Sequence, residues 1–150
     1  MEQKRKIIPP VYLALTLVAM AGLHRLLPIA RFIWPPLSYA GFILILLGIV
    51  LAGVSAGAFR KAGTPVIPFE KSTSLVTGGF YRYTRNPMYL GMTIVLLGAG
   101  VLFGSVGALI PIPFFIWVIE ANFIRGEERF LQEIFGDQYL QYKQKVRRWL

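Results

Sequence analysis

The 150-residue sequence contains no cysteine, a single histidine, and only seven carboxylate side chains against sixteen lysines and arginines. The missing cysteines exclude disulfides, thiolate metal sites and cysteine nucleophiles together. His24 has no ligand-spaced companion, so no metal site is expected. Charge is scarce as well as one-sided: 15% of residues are charged and 55% are apolar, more than a soluble domain of this size needs to fill its core. Long stretches lack the polar face that a water-exposed helix requires, and a lipid-exposed exterior is the simpler account. The net charge of +9 lies beside these apolar stretches, where anionic lipid headgroups are nearer partners than nucleic acid. The expected partner is therefore the bilayer, with no nucleic acid.

The apolar residues fall into four candidate spans of an all-α polytopic fold. The first runs over 9–27, with Pro9 and Pro10 at its start and Arg25 snorkelling at its end. A cleaved signal peptide is the rival reading, and the His-Arg-Leu-Leu that follows Leu23 is a poor cleavage context for it. The second span covers 37–59, twenty-three residues without a charge, closed by Arg60-Lys61. Asn86 to Ile119 is uncharged for 34 residues, too long for one crossing at about 1.5 Å per residue. Glycines crowd its middle, so the spacing predicts a tight hairpin turning at 103–107, with spans over 87–103 and 106–124 and a bend from Pro111 and Pro113. Four crossings place fourteen of the sixteen basic residues on one face. By the positive-inside rule both termini and the loop 60–86 are expected to be cytoplasmic, and a bacterial or archaeal cytoplasmic membrane is the expected location.

The cytoplasmic mass is then that loop and the tail 125–150. In the tail, Phe130, Leu131, Ile134 and Phe135 share one helical face, Gly136 ends that helix, and Asp137 is placed to cap a second carrying Leu140, Val146 and Trp149. The tail is expected to lie on the membrane surface.

The same two pieces hold what chemistry the sequence offers. Asn86 is a good N-cap, and Pro87 suits the first helical position. The resulting helix start, beside Arg82 and Arg85, can receive a carboxylate or phosphate. Interface anchoring explains those arginines and Tyr81, Tyr83 and Tyr89 equally well. It does not explain Glu127-Glu128 directly after the last span, on the face where the hairpin brings both chain ends together, because acidic residues gain nothing from anionic lipid. Carboxylates beside an anion-binding helix start and tyrosine faces suit a zwitterion carrying a sulfonium, such as S-adenosylmethionine, as one option among several. Glu120 is within reach of Arg125 and is read as snorkelling, and His24 as capping the outer end of the first span.

The strings Ser74-Leu75-Val76-Thr77-Gly78-Gly79-Phe80-Tyr81, Arg85-Asn86-Pro87-Met88-Tyr89-Leu90-Gly91, Arg125-Gly126-Glu127-Glu128 and Phe135-Gly136-Asp137-Gln138-Tyr139-Leu140-Gln141-Tyr142 resemble the isoprenylcysteine carboxyl methyltransferase family, over roughly residues 61–150. Phospholipid N-methyltransferases share the general layout. The resemblance implies S-adenosylmethionine as cofactor, with Thr73, Ser74, Leu75, Val76, Tyr81, Arg85, Asn86, Pro87, Met88, Tyr89, Gly91 and Glu127 about it. Arg125 and Glu128 would face a lipophilic acceptor arriving from the membrane. Eukaryotic members carry histidine where this chain has Asn86, so no titrating imidazole is available there. They also have more spans, which puts a prenylated acceptor in question.

The expected function is methyl transfer to a lipophilic or membrane-associated acceptor, a carboxylate first. Phospholipid amine or small-thiol methylation is one competitor, for which Glu128 is the candidate base. A non-enzymatic membrane scaffold or transporter-like subunit is the other.

Overall fold

The computed structural model describes residues 8–27, 29–67 and 72–150. Their regular secondary structure is helical apart from one isolated antiparallel bridge, Arg31 to Ser105. The principal helices are α1 (Pro9–Leu26), α2 (Ala40–Lys61), α3 (Pro87–Phe103), the single turn α4 (Val106–Leu109), α5 (Pro111–Ile119) and α6 (Arg125–Lys145). Short 3-10 turns at Leu37–Tyr39 and Gly79–Arg82 lead into α2 and α3.

Leu37–Lys61 and the continuous helical stretch Val106–Lys145 are long and apolar enough to cross a membrane, whereas Pro87–Phe103 is apolar but shorter. The outer face of α2 exposes Phe42, Ile43, Leu46, Leu47, Ile49 and Val50, each about half or more accessible. A contiguous apolar face of this kind is suited to lipid rather than water.

α2 packs on α3 through paired glycines. A Cβ on Gly91 would lie 2.6 Å from the Gly48 carbonyl oxygen, and one on Gly98 would lie 2.6 Å from that of Gly41. The two pairs share a seven-residue spacing on both helices, which lets the backbones touch where lipid supplies no hydrophobic drive for association. On its other side α3 meets α1 and α5. Met20, Leu96, Ala99, Ile112, Phe115, Ile119, Phe123 and Ile124 form the buried core there, and Tyr12 meets Phe123 edge to face at 5.6 Å.

Gly104, at φ 68°, turns the hairpin, and a Cβ there would strike the Ile33 carbonyl. The turn is sewn to the α1–α2 connection: the Phe32 N–H donates to the Gly104 carbonyl at 3.0 Å, and the Val106 N–H to that of Ala30 at 3.1 Å. His24 reaches the same turn through Nδ1 and Ser105 Oγ at 2.8 Å and stacks on Phe103. Pro111 opens α5 after one turn of α4, since it lacks the N–H that would continue the earlier ladder.

The tail differs from its sequence reading at its two ends. The helix of the last expected span does not stop at residue 124: a π turn over Glu120–Ile124 carries α5 directly into α6. Gly136, at φ 49° and ψ −123°, kinks α6 and the helix resumes to Lys145. Val146 and Trp149 are not helical. The chain turns extended at Val146, and residues 147 and 148 fold back on the approach to α3, with Val146 buried and Trp149 packed against the core. Two consecutive arginines whose backbone carbonyls are needed by other residues cannot be inferred from helical periodicity.

Candidate active site

The start of α3 and the start of α6 meet in one cleft of about 600 Å³, mouth included. Phe59 from the end of α2, with Ser74, Leu75 and Val76 from the connecting loop, forms one wall. Tyr81, Arg85, Asn86, Met88 and Tyr89 form the second, and Glu127, Glu128, Leu131, Tyr139 and Tyr142 of α6 the third. The loop is held in place by its own side chains. Thr73 Oγ1 donates to the Gly63 carbonyl at 3.0 Å and Ser74 Oγ to that of Ala62 at 2.9 Å, while Tyr81 packs on Phe59.

Tyr89 and Glu127 bridge the two helix starts, the phenol donating to Oε1 at 2.8 Å. Glu127 lies beyond the apolar stretch of its helix. Burial pushes its carboxyl up to about 7; the Tyr89 hydrogen bond opposes this and the neighbouring Glu128 charge adds to it. Tyr81 is buried, which raises its phenol well above the ordinary range. Its carbonyl accepts from the Tyr142 hydroxyl at 2.7 Å, yet its own hydroxyl has no partner among the described residues.

Arg85 is the second incompletely paired group. Its side chain is 8% exposed and its Nη2 meets Glu128 at 3.0 Å, but Nε and Nη1 are buried with no acceptor among the described residues. Unsatisfied buried donors are costly and uncommon, so two on a guanidinium and one on a phenol around one cleft call for an explanation.

Several residues singled out from the sequence occupy other places. Arg125 does not line the cleft: its side chain is 64% exposed and pairs with Glu120 at 3.2 Å. Glu128 lines the cleft, but both its oxygens are held by arginines, Oε1 by Arg148 Nε and Arg85 Nη2 and Oε2 by Arg148 Nη2 at 2.8 Å. Both oxygens are thus committed to contacts inside the protein, which weighs against the role of base. Gly91 faces α2 at the glycine contact with Gly48, and Pro87 is buried at the first position of α3. Thr73 spends its hydroxyl on closing the loop. Asn86 stands at the N-cap position without capping. Its amide donates instead to the Arg148 carbonyl at 2.9 Å, which also receives the Thr84 hydroxyl at 3.1 Å. Tyr139 and Tyr142 were quoted in a motif but given no role, and Arg148 carried no sequence signal beyond its charge.

Fold and site together define a helical protein of the membrane class with a buried, charge-lined cleft at one end of its helices. The phospholipid methyltransferase family matches residues 37–138, and the chain belongs to it. It is 32% identical over 108 residues to protein-S-isoprenylcysteine O-methyltransferase A of Arabidopsis thaliana, covering 71% of this chain and 55% of that protein. It is 38% identical over 77 residues to the protein-S-isoprenylcysteine O-methyltransferase of Schizosaccharomyces pombe, covering 51% and 33%. The chain thus spans about half the length, or less, of these two relatives. Its fold is similar to that of the eukaryotic intramembrane Ras methyltransferase, isoprenylcysteine carboxyl methyltransferase, with a TM-score of 0.67 and 22% identity over all of this chain and 53% of the other.

Proposed function

We propose that the chain is an S-adenosylmethionine-dependent methyltransferase acting on a lipophilic or membrane-associated acceptor, a carboxylate first. The observation that carries the reading is the set of buried donors without partners among the described residues, Tyr81 hydroxyl and Arg85 Nε and Nη1, on residues that line one cleft with Glu127. A zwitterion answers both halves. Arg85 is suited to the carboxylate of a bound amino acid moiety and Glu127 to its ammonium or to ribose hydroxyls, while the faces of Tyr81 and Tyr89 stabilise a cation. When bound, S-adenosylmethionine supplies a methyl carbon whose bond to sulfur breaks, the electron pair staying on sulfur as the acceptor oxygen bonds to that carbon.

A second cavity supports a lipophilic acceptor. It is apolar, holds about 530 Å³ with its mouth, and lies between the start of α1 and the loop after α2, lined by Ile8, Pro9, Pro10, Val66, Ile67 and Met92. Met88 and Tyr89 belong to both cavities. The protein's task is to hold the acceptor in line and exclude water. A carboxylate is already ionised at neutral pH and needs no base, which agrees with Glu128 being tied up by arginines. An amine acceptor must lose a proton, and Glu127 is then the available group. The positive-inside rule applied to four crossings supports a cytoplasmic side for the cofactor cleft and both termini.

The test is transfer from methyl-labelled S-adenosylmethionine by purified protein to an S-prenylated N-acetylcysteine, phosphatidylethanolamine vesicles and an alkanethiol in parallel. Label released by mild base from the carboxylate acceptor supports an ester product. Label that resists base and appears only in the phospholipid or thiol replaces the carboxylate reading, and absence of cofactor binding favours the scaffold.

A further inference from the structure

Glu128 is shared unequally between two arginines. Arg148 takes it side-on through Nε at 3.0 Å and Nη2 at 2.8 Å, leaving Arg85 a single contact through Nη2. Arg148 is itself pinned at every nitrogen, since Nη1 meets Glu120 at 2.9 Å. Its backbone is fixed as well: the Arg148 carbonyl accepts from Asn86 and Thr84, and the Arg147 carbonyl from the Arg85 N–H at 3.0 Å. Yet Arg148 does not line the cleft.

From this geometry we infer that Arg148 is a positioning residue: by holding Glu128 in a two-point clasp it leaves Arg85 Nε and Nη1, on different edges of the guanidinium, unclaimed by Glu128, so that the carboxylate of the bound ligand can take one of them. The inference rests on the cofactor reading above. A carboxylate released from Arg148 swings to the side-on edge of the nearest guanidinium, which on Arg85 is Nε with Nη2, and thereby consumes one of the two donors kept for the ligand. The Arg148 side chain thus acts on ligand recognition through Glu128 and Arg85. Its removal leaves the backbone hydrogen bonds of residues 147 and 148 in place.

Equilibrium binding to the full-length purified protein distinguishes positioning from mere support. The two probes are S-adenosylmethionine and its decarboxylated analogue, which keeps the sulfonium and the nucleoside but lacks the carboxylate. The unmutated protein is expected to prefer the carboxylated ligand by about tenfold or more. Arg148→Ala is expected to lose about tenfold in affinity for S-adenosylmethionine, with the analogue changed by less than about twofold. Arg148→Lys keeps the charge without the fork and is expected to show a smaller loss of the same selectivity, so it carries the test should the alanine variant not fold. Proportional loss of both ligands would show a structural role and overturn the inference, as would full affinity for S-adenosylmethionine in a folded Arg148→Ala protein. If the unmutated protein binds both ligands equally, Arg85 does not read a carboxylate and the inference fails while the cofactor reading stands. If it binds neither, the cofactor reading itself falls and takes the inference with it.

Discussion

Replacing Glu127 with glutamine should move stability and ligand binding in opposite directions. The side chain keeps its shape and an oxygen to accept the Tyr89 hydroxyl, which is 2.8 Å from the carboxylate in the native protein. Its carboxyl sits near 7 in the folded chain against an ordinary value of 4.5, burial being the main cause. The folded state therefore holds that proton more tightly than the unfolded state. The associated stability is fully present below pH 4.5 and is lost as pH rises through about 7. Above that, ionisation costs the ligand-free protein about 3 kcal/mol, which glutamine avoids. Glu127→Gln should accordingly raise the thermal unfolding midpoint in detergent at pH 8 and leave it nearly unchanged at pH 4.5. Binding should show the reverse. Loss of a charged hydrogen-bond partner costs about 1.5–3 kcal/mol, or roughly 10- to 150-fold in affinity for S-adenosylmethionine at pH 8. The native protein should lose about tenfold in affinity per pH unit below 7, as Glu127 takes up its proton, while the variant stays flat. Equilibrium dialysis with labelled cofactor across pH 5.5–8 measures both curves. Native-like affinity in the variant, with the same pH profile, would refute the assignment of Glu127 to the ligand.

Three further outcomes follow from the packing. Glu128→Ala leaves Arg85 and Arg148 without their shared partner, and removing one member of a buried ion pair should cost about 3–5 kcal/mol of stability, read from thermal unfolding. Gly91→Leu places side-chain atoms where the Gly48 carbonyl and Ala52 backbone already lie, so it should lower stability by about 1–3 kcal/mol or more with no gain of function. Arg125→Ala removes an exposed pair with Glu120 and should change stability by less than about 1 kcal/mol. Cofactor affinity in that variant should stay within about twofold of native, and a selective collapse of turnover would return Arg125 to the acceptor site.

Much of the cleft was legible because its parts lie next to strong local signals. Asn86-Pro87 marks a helix start, the glycines around Gly104 mark a turn, and together they bring Tyr89 beside Glu127. Ser74, Leu75, Val76, Tyr81, Arg85, Met88 and Glu127 then line one cavity. Gly91 was included with its neighbours in the motif, but two positions along a helix rotate a residue about 200°, which turns it from the cleft to α2. The pairing of Glu128 with Arg148 depends on an extended segment folding back over 20 residues, and no periodicity encodes that. The π turn at Glu120–Ile124 was equally hidden, since it changes the register of a helix without changing its composition. It bears on the site because it precedes Arg125 and Glu127 directly: the face α6 presents differs from the one a continuous α-helix would show.

Photo-crosslinking locates the ligand most directly. Ultraviolet irradiation of purified protein with methyl-labelled S-adenosylmethionine, followed by peptide mapping, should place the label within residues 72–89 or 127–142, and unlabelled S-adenosylhomocysteine should compete it away. Competable label confined to peptides outside these segments would show that the cleft between the starts of α3 and α6 is not where the cofactor binds.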